Sequence, residues 1–231
     1  MKFEEKDRPD FSKMTVGQKI KWFWYYYKAW VLIGAAAAFF VIWGVMQVAG
    51  RKEDALNLIT VNADTVDYDE SVWDPFLIDQ GFDPKKSQVS VNRNIAYYGG
   101  NSAMDVYSMP SLQTILSAGG ADCVICQRDC FEMLASLGAF EPVSNIFTPE
   151  ELAQLDGRIE YVAMDPEADP YISETEEAID NTYARGVLLQ SGSILDATGF
   201  YPPDTELIVA LPISADHAVM GQAFMRWLFE L

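Results

Sequence analysis

A run of 20 residues near the N-terminus, Ala29 to Val48, carries no charge and one polar side chain, Gln47. A helix of that length spans about 30 Å, the thickness of the hydrocarbon core of a bilayer. Tryptophan and tyrosine cluster just before it, between Lys21 and Lys28, as is typical of a membrane interface. The pattern predicts a single transmembrane helix over residues 29–49.

A buried core helix and a cleaved signal peptide are the alternatives for this segment. A core helix rarely runs 20 residues without a charge. The sequence Val48-Ala49-Gly50 is a poor match to the small-x-small cleavage site of a signal peptide. An uncleaved anchor is therefore favoured.

Beyond residue 50 the hydrophobic positions follow the periods of short strands and helices. The segments with strand patterns are 56–62, 88–95, 121–126, 158–163, 184–190 and 206–211. The segments with helix patterns are 71–80, 102–117, 129–138, a helix opened by Thr148-Pro149, and 215–231. Strands and helices alternate over the first three strands, which predicts parallel strands with right-handed crossovers. The predicted fold class is α/β, with residues 50–231 forming a three-layer α/β domain.

Three local details follow from the same patterns. Pro110 inside the second helix predicts a kink or two short helices. Asp129 is predicted to cap the third helix. The last helix is predicted to bury an apolar face formed by Val219, Ala223, Trp227 and Leu228.

Charge is distributed unevenly along the 231 residues. Residues 1–28 hold seven Lys and Arg, whereas residues 51–231 hold nine against 30 Asp and Glu, a net charge of −21. The positive-inside rule predicts that the N-terminal segment 1–28 is cytoplasmic and that residues 50–231 lie outside the cytoplasm. The acidic excess argues against a nucleic-acid partner, because phosphate binding needs clustered Lys and Arg.

Composition excludes several further classes. Half of the residues are hydrophobic, which excludes a disordered tail. Three cysteines exclude a disulfide-dense scaffold, and a single histidine, His217, excludes a multi-histidine zinc site. No cofactor is expected.

Two segments resemble a known family. Ser117-Ala-Gly-Gly-Ala-Asp-Cys-Val-Ile-Cys126 followed by Leu137-Gly-Ala-Phe-Glu-Pro142, and the closing Glu206–Ser214 run with Phe224–Leu228, are similar to extracellular solute-binding proteins of the type 2 periplasmic-binding fold. The head, Lys19 to Lys28, resembles the juxtamembrane segment of membrane-anchored extracellular proteins of Gram-positive anaerobes. The resemblance implies an anchored binding module.

The resemblance departs from the family in its second lobe. Only 58 residues lie between Cys126 and Arg185, so the chain is expected to hold one lobe with the other absent or rudimentary. A single lobe cannot enclose a solute, which puts transport-type capture in doubt.

Ligands of an open α/β sheet gather beyond the carboxyl ends of its strands. The polar and aromatic residues predicted there are Asn62, Asp64, Tyr97, Tyr98, Asn101, Gln127 and Arg128. If a ligand binds, the two tyrosines would stack on it and Arg128 would take an anion. Ordinary loop polarity is the alternative for each residue.

The remaining chemistry-bearing residues have plain structural explanations. Cys123, Cys126 and Cys130 fit small buried residues better than a redox or zinc site, although a Cys126–Cys130 disulfide stays open. An acidic loop offers calcium ligands at EF-hand spacing, but Pro170 replaces the required glycine, so no metal is expected. Its oxygen-bearing residues are Asp165, Glu167, Asp169 and Glu176.

A hydrolase set is conceivable but lacks the motif that would activate it. The residue types of a catalytic triad are present as Ser191, Ser193, Asp196 and His217, yet no GxSxG elbow surrounds either serine.

The predicted function is a non-catalytic recognition module held in the bilayer by residues 29–49. Its expected partner is a small solute or an envelope protein. A structural or assembly subunit and an extracytoplasmic hydrolase are the alternatives.

Overall fold

A computed structural model describes residues 14–49, 51–100, 102–163, 182–189 and 194–231. The described strands are β1 (Glu53–Val61), β2 (Ser87–Ile95), β3 (Cys123–Cys126), β4 (Ile159–Ala163), β5 (Thr182–Leu189) and β6 (Leu207–Ala210). The described α-helices are α1 (Val16–Ala49), α2 (Asp74–Asp79), α3 (Ala103–Ser117), α4 (Arg128–Ser136), α5 (Val143–Ile146), α6 (Pro149–Gln154), α7 (Ile194–Thr198) and α8 (Ala218–Leu228). A short 3-10 helix, Glu70–Trp73, leads into α2.

The first helix, α1, runs for 34 residues and takes in the aromatic cluster as well as the apolar run. Its segment Tyr27–Gly44 is long and apolar enough to cross a membrane, and none of that segment is buried. By length and composition, α1 is thus a helix that could span a membrane. Residues 52–231 form a separate compact unit.

That unit is a mixed α/β domain built on one six-stranded sheet in the order β2-β1-β3-β6-β5-β4. Strand β1 pairs in parallel with β2 and with β3, as the alternation of strands and helices predicts. Strand β6 is antiparallel to β3 and β5, and β4 is antiparallel to β5. All six described strands of residues 52–231 lie in this one sheet.

Helices cover both faces of the sheet, which gives the three layers expected. Successive side chains of a strand point to opposite faces. Leu58 of β1 therefore packs on one face with Phe76 and Phe224, which come from α2 and α8. Its neighbour Ile59 packs on the other face with apolar residues of α3 and α4, including Leu112.

Two helices begin with a capping box. Ser102 and Asp105 close the first turn of α3, and Thr148 and Glu151 close that of α6. In each pair the side chains satisfy backbone N–H groups that have no partner inside the helix. Pro110 lies inside α3 without dividing it, so the expected division into two short helices is wrong. It lies on the exposed side, where water can replace the hydrogen bond that proline cannot donate.

The predicted cap of α4 is wrong. Gln127, with an extended backbone, is the N-cap residue, and Asp129 lies in the first turn.

The predicted apolar face of α8 is also partly wrong. Val219 is 78% exposed, whereas Gly221, Phe224 and Met225 are buried. A Cβ atom on Gly221 would lie 2.2 Å from the carbonyl oxygen of Asp122. The close approach at Gly221 rotates the buried face of α8 away from Val219.

An ion pair joins α6 to α8, and we expect it to make stability depend on pH. Arg226 Nε donates to Glu151 Oε1 at 2.8 Å, and this bond is the main reason why the pKa of Glu151 lies below its ordinary value of 4.5. A carboxylate with a lowered pKa stabilises the fold above about pH 4.5, and the contribution is lost as the pH falls through the lowered pKa.

The substitution Glu151→Gln tests this pair, because it keeps the capping oxygen and removes the charge. We expect it to lower the free energy of unfolding by about 1 kcal/mol at pH 7. The difference from the wild type should disappear in acid, as measured by denaturant unfolding between pH 3 and pH 7. Glu150→Gln, at the exposed neighbouring position, is the matched control. A difference that persists unchanged at pH 3 would contradict the assignment.

Candidate functional site

The carboxyl ends of β1, β2 and β3 lie at one edge of the sheet because these three strands are parallel. We call this region the carboxyl edge and define it by residues 62–64, 97–98 and 127–128, which follow the three strands. These positions hold six of the seven predicted site residues. The seventh, Asn101, lies outside the described residues.

Asn62 organises the carboxyl edge. It leaves β1 with φ of 58°, in the left-handed region that asparagine tolerates better than most residues. Its Nδ2 donates to the carbonyl of Tyr97 at 2.8 Å, and the backbone N–H of Tyr97 donates to Asn62 Oδ1 at 2.8 Å. The Asn62 side chain thus joins the end of β1 to the residues after β2 as a backbone peptide would.

Gln127 joins the third strand to this cluster. Asn62 Nδ2 also donates to Gln127 Oε1 at 3.1 Å, which orients the Gln127 amide. Within the described residues, Gln127 Nε2 makes no hydrogen bond of its own. The geometry leaves one oriented amide donor at the carboxyl edge.

The two tyrosines have different surroundings. Tyr98 is 61% exposed, while its backbone N–H is held by Asp105 Oδ1 at 2.7 Å. The Tyr97 ring is half-buried, and burial is the main reason why the pKa of Tyr97 is raised, with smaller contributions from Cys130 and Asp105. Tyr98 therefore presents an aromatic ring to solvent on a fixed backbone, and Tyr97 keeps a neutral hydroxyl.

Tyr201 belongs to the same region and was missed from the sequence. Its hydroxyl donates to the carbonyl of Val61 at 2.8 Å, and burial raises the pKa of this hydroxyl well above its ordinary value. The aromatic pair Phe200-Tyr201 before two prolines marks a constrained loop in the sequence. Nothing in that pattern indicates which strand end the loop covers.

Arg128 points to the protein's own carboxylates. Its Nη1 and Nη2 donate to the two carboxylate oxygens of Glu160 at 2.7 and 2.9 Å, and Glu206 lies 3.8 Å away. The bond to Glu160 is the main reason why the pKa of Arg128 is raised. A guanidinium held in this way is a poor receptor for a further anion, so the structure disfavours the anion-binding role expected for Arg128.

Asp64 is fixed at the edge through its backbone. Its N–H donates to the carbonyl of Phe200 at 2.7 Å, and its own carbonyl accepts from Arg93 Nη1 at 3.3 Å. The carboxylate adds negative charge beside Asn62. The edge thus carries the Asp64 carboxylate and, through its contact with the Asp64 carbonyl, the Arg93 guanidinium.

The three cysteines are buried and have free thiols. Cys123 packs on one face of the sheet, and Cys126 and Cys130 pack together on the other. A hydrogen bond that the Cys126 thiol donates to Cys130, together with burial, raises the pKa of Cys126 well above its ordinary value, and burial raises that of Cys123. Raised pKa values suppress the thiolate form, which fits the predicted role as core residues.

The candidate metal and hydrolase sites receive no support from the described residues. The acidic loop with Asp165, Glu167, Asp169 and Glu176 lies outside them, as do Ser191 and Ser193. No group of three or more His, Cys, Asp or Glu side chains suited to a metal occurs in the described part of the chain. His217 pairs with Asp122, through Nδ1 at 3.2 Å, and not with the exposed Asp196.

A cleft of about 730 Å³ lies elsewhere, between α2, α7 and α8. Its lining residues are Asp79, Gln80, Ile194, Val219, Gln222, Ala223, Arg226, Trp227, Leu228, Glu230 and Leu231. Its one cation, Arg226, is bound to Glu151. The polar side chains of the cleft include Gln80, which donates to Asp79, and Arg226. The carboxyl edge instead joins groups from the ends of three strands, so we place the candidate site at the carboxyl edge.

Comparison of the chain with known protein families, curated proteins and solved structures finds no match. The class of protein is therefore defined by the structure alone. It is a mixed α/β domain with a polar cluster at the carboxyl ends of its parallel strands, on a chain that also has an apolar helix long enough to cross a membrane.

Proposed function

We propose that residues 52–231 are a non-catalytic recognition domain, held at a membrane by α1, that binds a neutral polar ligand at the carboxyl edge. One observation carries the proposal: Asn62 ties the ends of three strands together and leaves the Gln127 amide donor oriented there. A few placed polar groups beside an exposed aromatic ring are the usual elements of small-ligand recognition.

Charge favours a neutral ligand over an anion. Arg128 is held by Glu160, and Asp64 adds a carboxylate to the edge. Arg93 Nη1, at the same edge, donates to the backbone carbonyls of Asp64 and Val66. Among the described residues, an anion would therefore have to displace an existing contact to reach a guanidinium. A sugar fits these groups, because its hydroxyls accept from an amide donor and its apolar face packs on an aromatic ring such as that of Tyr98.

The sequence resemblance to type 2 solute-binding proteins supports the same assignment. The proteins of that family bind solutes, and in open α/β sheets ligands lie beyond the carboxyl ends of the strands. With a single lobe the ligand would stay partly in solvent, which suits recognition of a surface-bound chain, such as a wall glycan, better than capture of a free solute.

The anchor and its orientation belong to the proposal as well. The seven basic residues before the apolar run favour a cytoplasmic N-terminus, which leaves residues 52–231 outside the cell. A domain in that position meets envelope components first.

Isothermal titration calorimetry on the full chain in detergent micelles tests the ligand class. The probes are neutral oligosaccharides, with glucuronic acid as the anionic comparison. We expect a neutral sugar to bind, and Tyr98→Ala and Gln127→Ala each to weaken binding about tenfold, the loss of roughly one good contact.

Tyr161→Ala is the matched control, because Tyr161 is an exposed tyrosine on the distant edge strand β4. It should leave affinity unchanged. Failure of every neutral sugar to bind, or binding that survives both edge substitutions, would refute the proposed function.

A further inference from the structure

The helix α3 has an exposed side without a single charge. Its exposed positions are Ala103, Met104, Val106, Tyr107, Pro110, Ser111, Gln113, Thr114 and Ser117. The one charged residue of α3, Asp105, is buried in the capping box. By contrast, α4 exposes Asp129 and Glu132.

The apolar part of this side is large for a surface helix. Tyr107 is 77% exposed, and Met104 and Val106 are each more than half exposed. Apolar side chains grouped on an exposed surface mark interaction sites in many proteins.

The serine and threonine hydroxyls on the same side donate to backbone carbonyls of α3 itself. Ser111 Oγ donates to the carbonyl of Tyr107 at 3.0 Å, Thr114 Oγ1 to that of Pro110 at 2.7 Å, and Ser117 Oγ to that of Gln113 at 2.7 Å. Polar groups are costly to bury only when they lose their hydrogen bonds. If this side of α3 were covered, these three hydroxyl groups would therefore keep their hydrogen bonds.

We infer that the uncharged side of α3 binds the same side of α3 in a second copy of this chain. The argument rests on charge. Residues 51–231 carry a net charge of −21, so two copies repel each other wherever their acidic surfaces meet. A symmetric dimer brings one patch against itself, and a patch without charges avoids that repulsion.

Other occupants fit this side less well. A basic partner protein would gain more by docking on the acidic surfaces of the domain. Helices that lie on a bilayer are typically rich in Lys and Arg, and α3 has neither.

The size of the patch sets the expected strength. The 15 residues of α3 form a strip about 22 Å long and about 10 Å wide, roughly 220 Å². Stable interfaces bury about 800 Å² per partner, so association between free chains should be weak. Copies held in one membrane by α1 reach a high effective concentration, which compensates for the small area.

Cysteine cross-linking of the full chain in phosphatidylcholine vesicles tests the dimer. Single substitutions Tyr107→Cys, Ser111→Cys and Thr114→Cys place thiols along the patch, and the three native cysteines are buried and should stay silent. Under copper-phenanthroline oxidation at least one substitution should give a covalent dimer on a non-reducing gel. Ala153→Cys, on the exposed side of α6, is the matched control and should not.

A charge placed on the patch distinguishes a dimer that forms through α3 from one that forms through α1. Tyr107→Glu, added to Ser111→Cys or Thr114→Cys, places like charges across the symmetry axis and should reduce cross-linking about tenfold. Ala153→Glu should leave it unchanged. Added salt should increase cross-linking, because it screens the repulsion between the acidic domains.

Three results would overturn the inference. The first is the absence of a covalent dimer at all three patch positions. The second is a covalent dimer that survives Tyr107→Glu. The third is a monomeric chain in which the patch cysteines are protected from a water-soluble maleimide while Ala153→Cys is labelled. The last result would assign the patch to the bilayer. Sugar binding at the carboxyl edge is measured separately, so either proposal can fail without the other.

Discussion

Deleting residues 15–49 is expected to transfer the chain from the membrane fraction to the supernatant. The deleted helix carries the segment Tyr27–Gly44, whose transfer from water to lipid is favoured by roughly 25 cal/mol for each Å² of apolar surface removed from water. The remaining residues 52–231 have their own core. Ultracentrifugation of lysed cells without detergent, followed by a carbonate wash of the pellet, measures the partition.

The control replaces Ala35, Ala36, Ala37 and Ala38 with leucine, which changes the helix but keeps it apolar, and this variant should stay in the pellet. Recovery of the full chain in the supernatant would contradict the anchor. An N-terminal sequence that begins near Gly50 in the isolated protein would show that the segment is a cleaved signal peptide instead.

Protease added outside intact cells should digest residues 52–231 if the orientation is as proposed.

The substitution Asp122→Ala is expected to cause the largest loss of stability in the domain. The carboxylate is fully buried, and it accepts hydrogen bonds from the backbone N–H groups of Asn57 and His217, each at 2.8 Å. It also lies 3.2 Å from His217 Nδ1. These bonds join β1, the turn before β3 and the start of α8, and alanine would leave partly buried donors without their acceptor.

We expect Asp122→Ala to lower the free energy of unfolding by about 3 kcal/mol. The melting temperature, measured by circular dichroism, should fall by roughly 6 to 12 °C. Asp122→Asn, which keeps one acceptor oxygen, should fall between Asp122→Ala and the wild type. Asp156→Ala removes an exposed aspartate and serves as the control. Equal melting temperatures for Asp122→Ala and Asp156→Ala would show that the network contributes nothing.

The carboxyl edge was predictable in position but not in chemistry. Asn62, Tyr97 and Gln127 follow successive parallel strands, and parallel strands end at one edge. The role of Arg128 could not be read in the same way. Its partner Glu160 lies on β4, three strands away from β3, the strand that Arg128 follows, and only the packing of α4 against the sheet brings the two residues together.

The prediction of the apolar face of α8 was partly wrong for a similar reason. Periodicity gave a stripe that includes Val219, whereas the close approach of Gly221 to Asp122 selects the face that contains Phe224. A glycine has no side chain to contribute to a hydrophobic pattern, so the contact leaves no trace in that pattern.

The sequence by itself determined the features that depend on neighbours along the chain. These are the long apolar helix, the strands and their alternation, the capping boxes of α3 and α6, and the contrast between a basic head and an acidic domain. Hydrophobic period, capping chemistry and charge all act over a few residues, so they can be read locally.

Only the tertiary structure decided which distant groups meet. It made the sheet mixed by adding the last three strands antiparallel, placed Tyr201 on the end of β1, and engaged Arg128 with Glu160. Within the described part of the chain, it also left one side of α3 exposed. Each of these depends on contacts between residues far apart in the chain, whose energies are set by three-dimensional packing and not by the order of residues in any one segment.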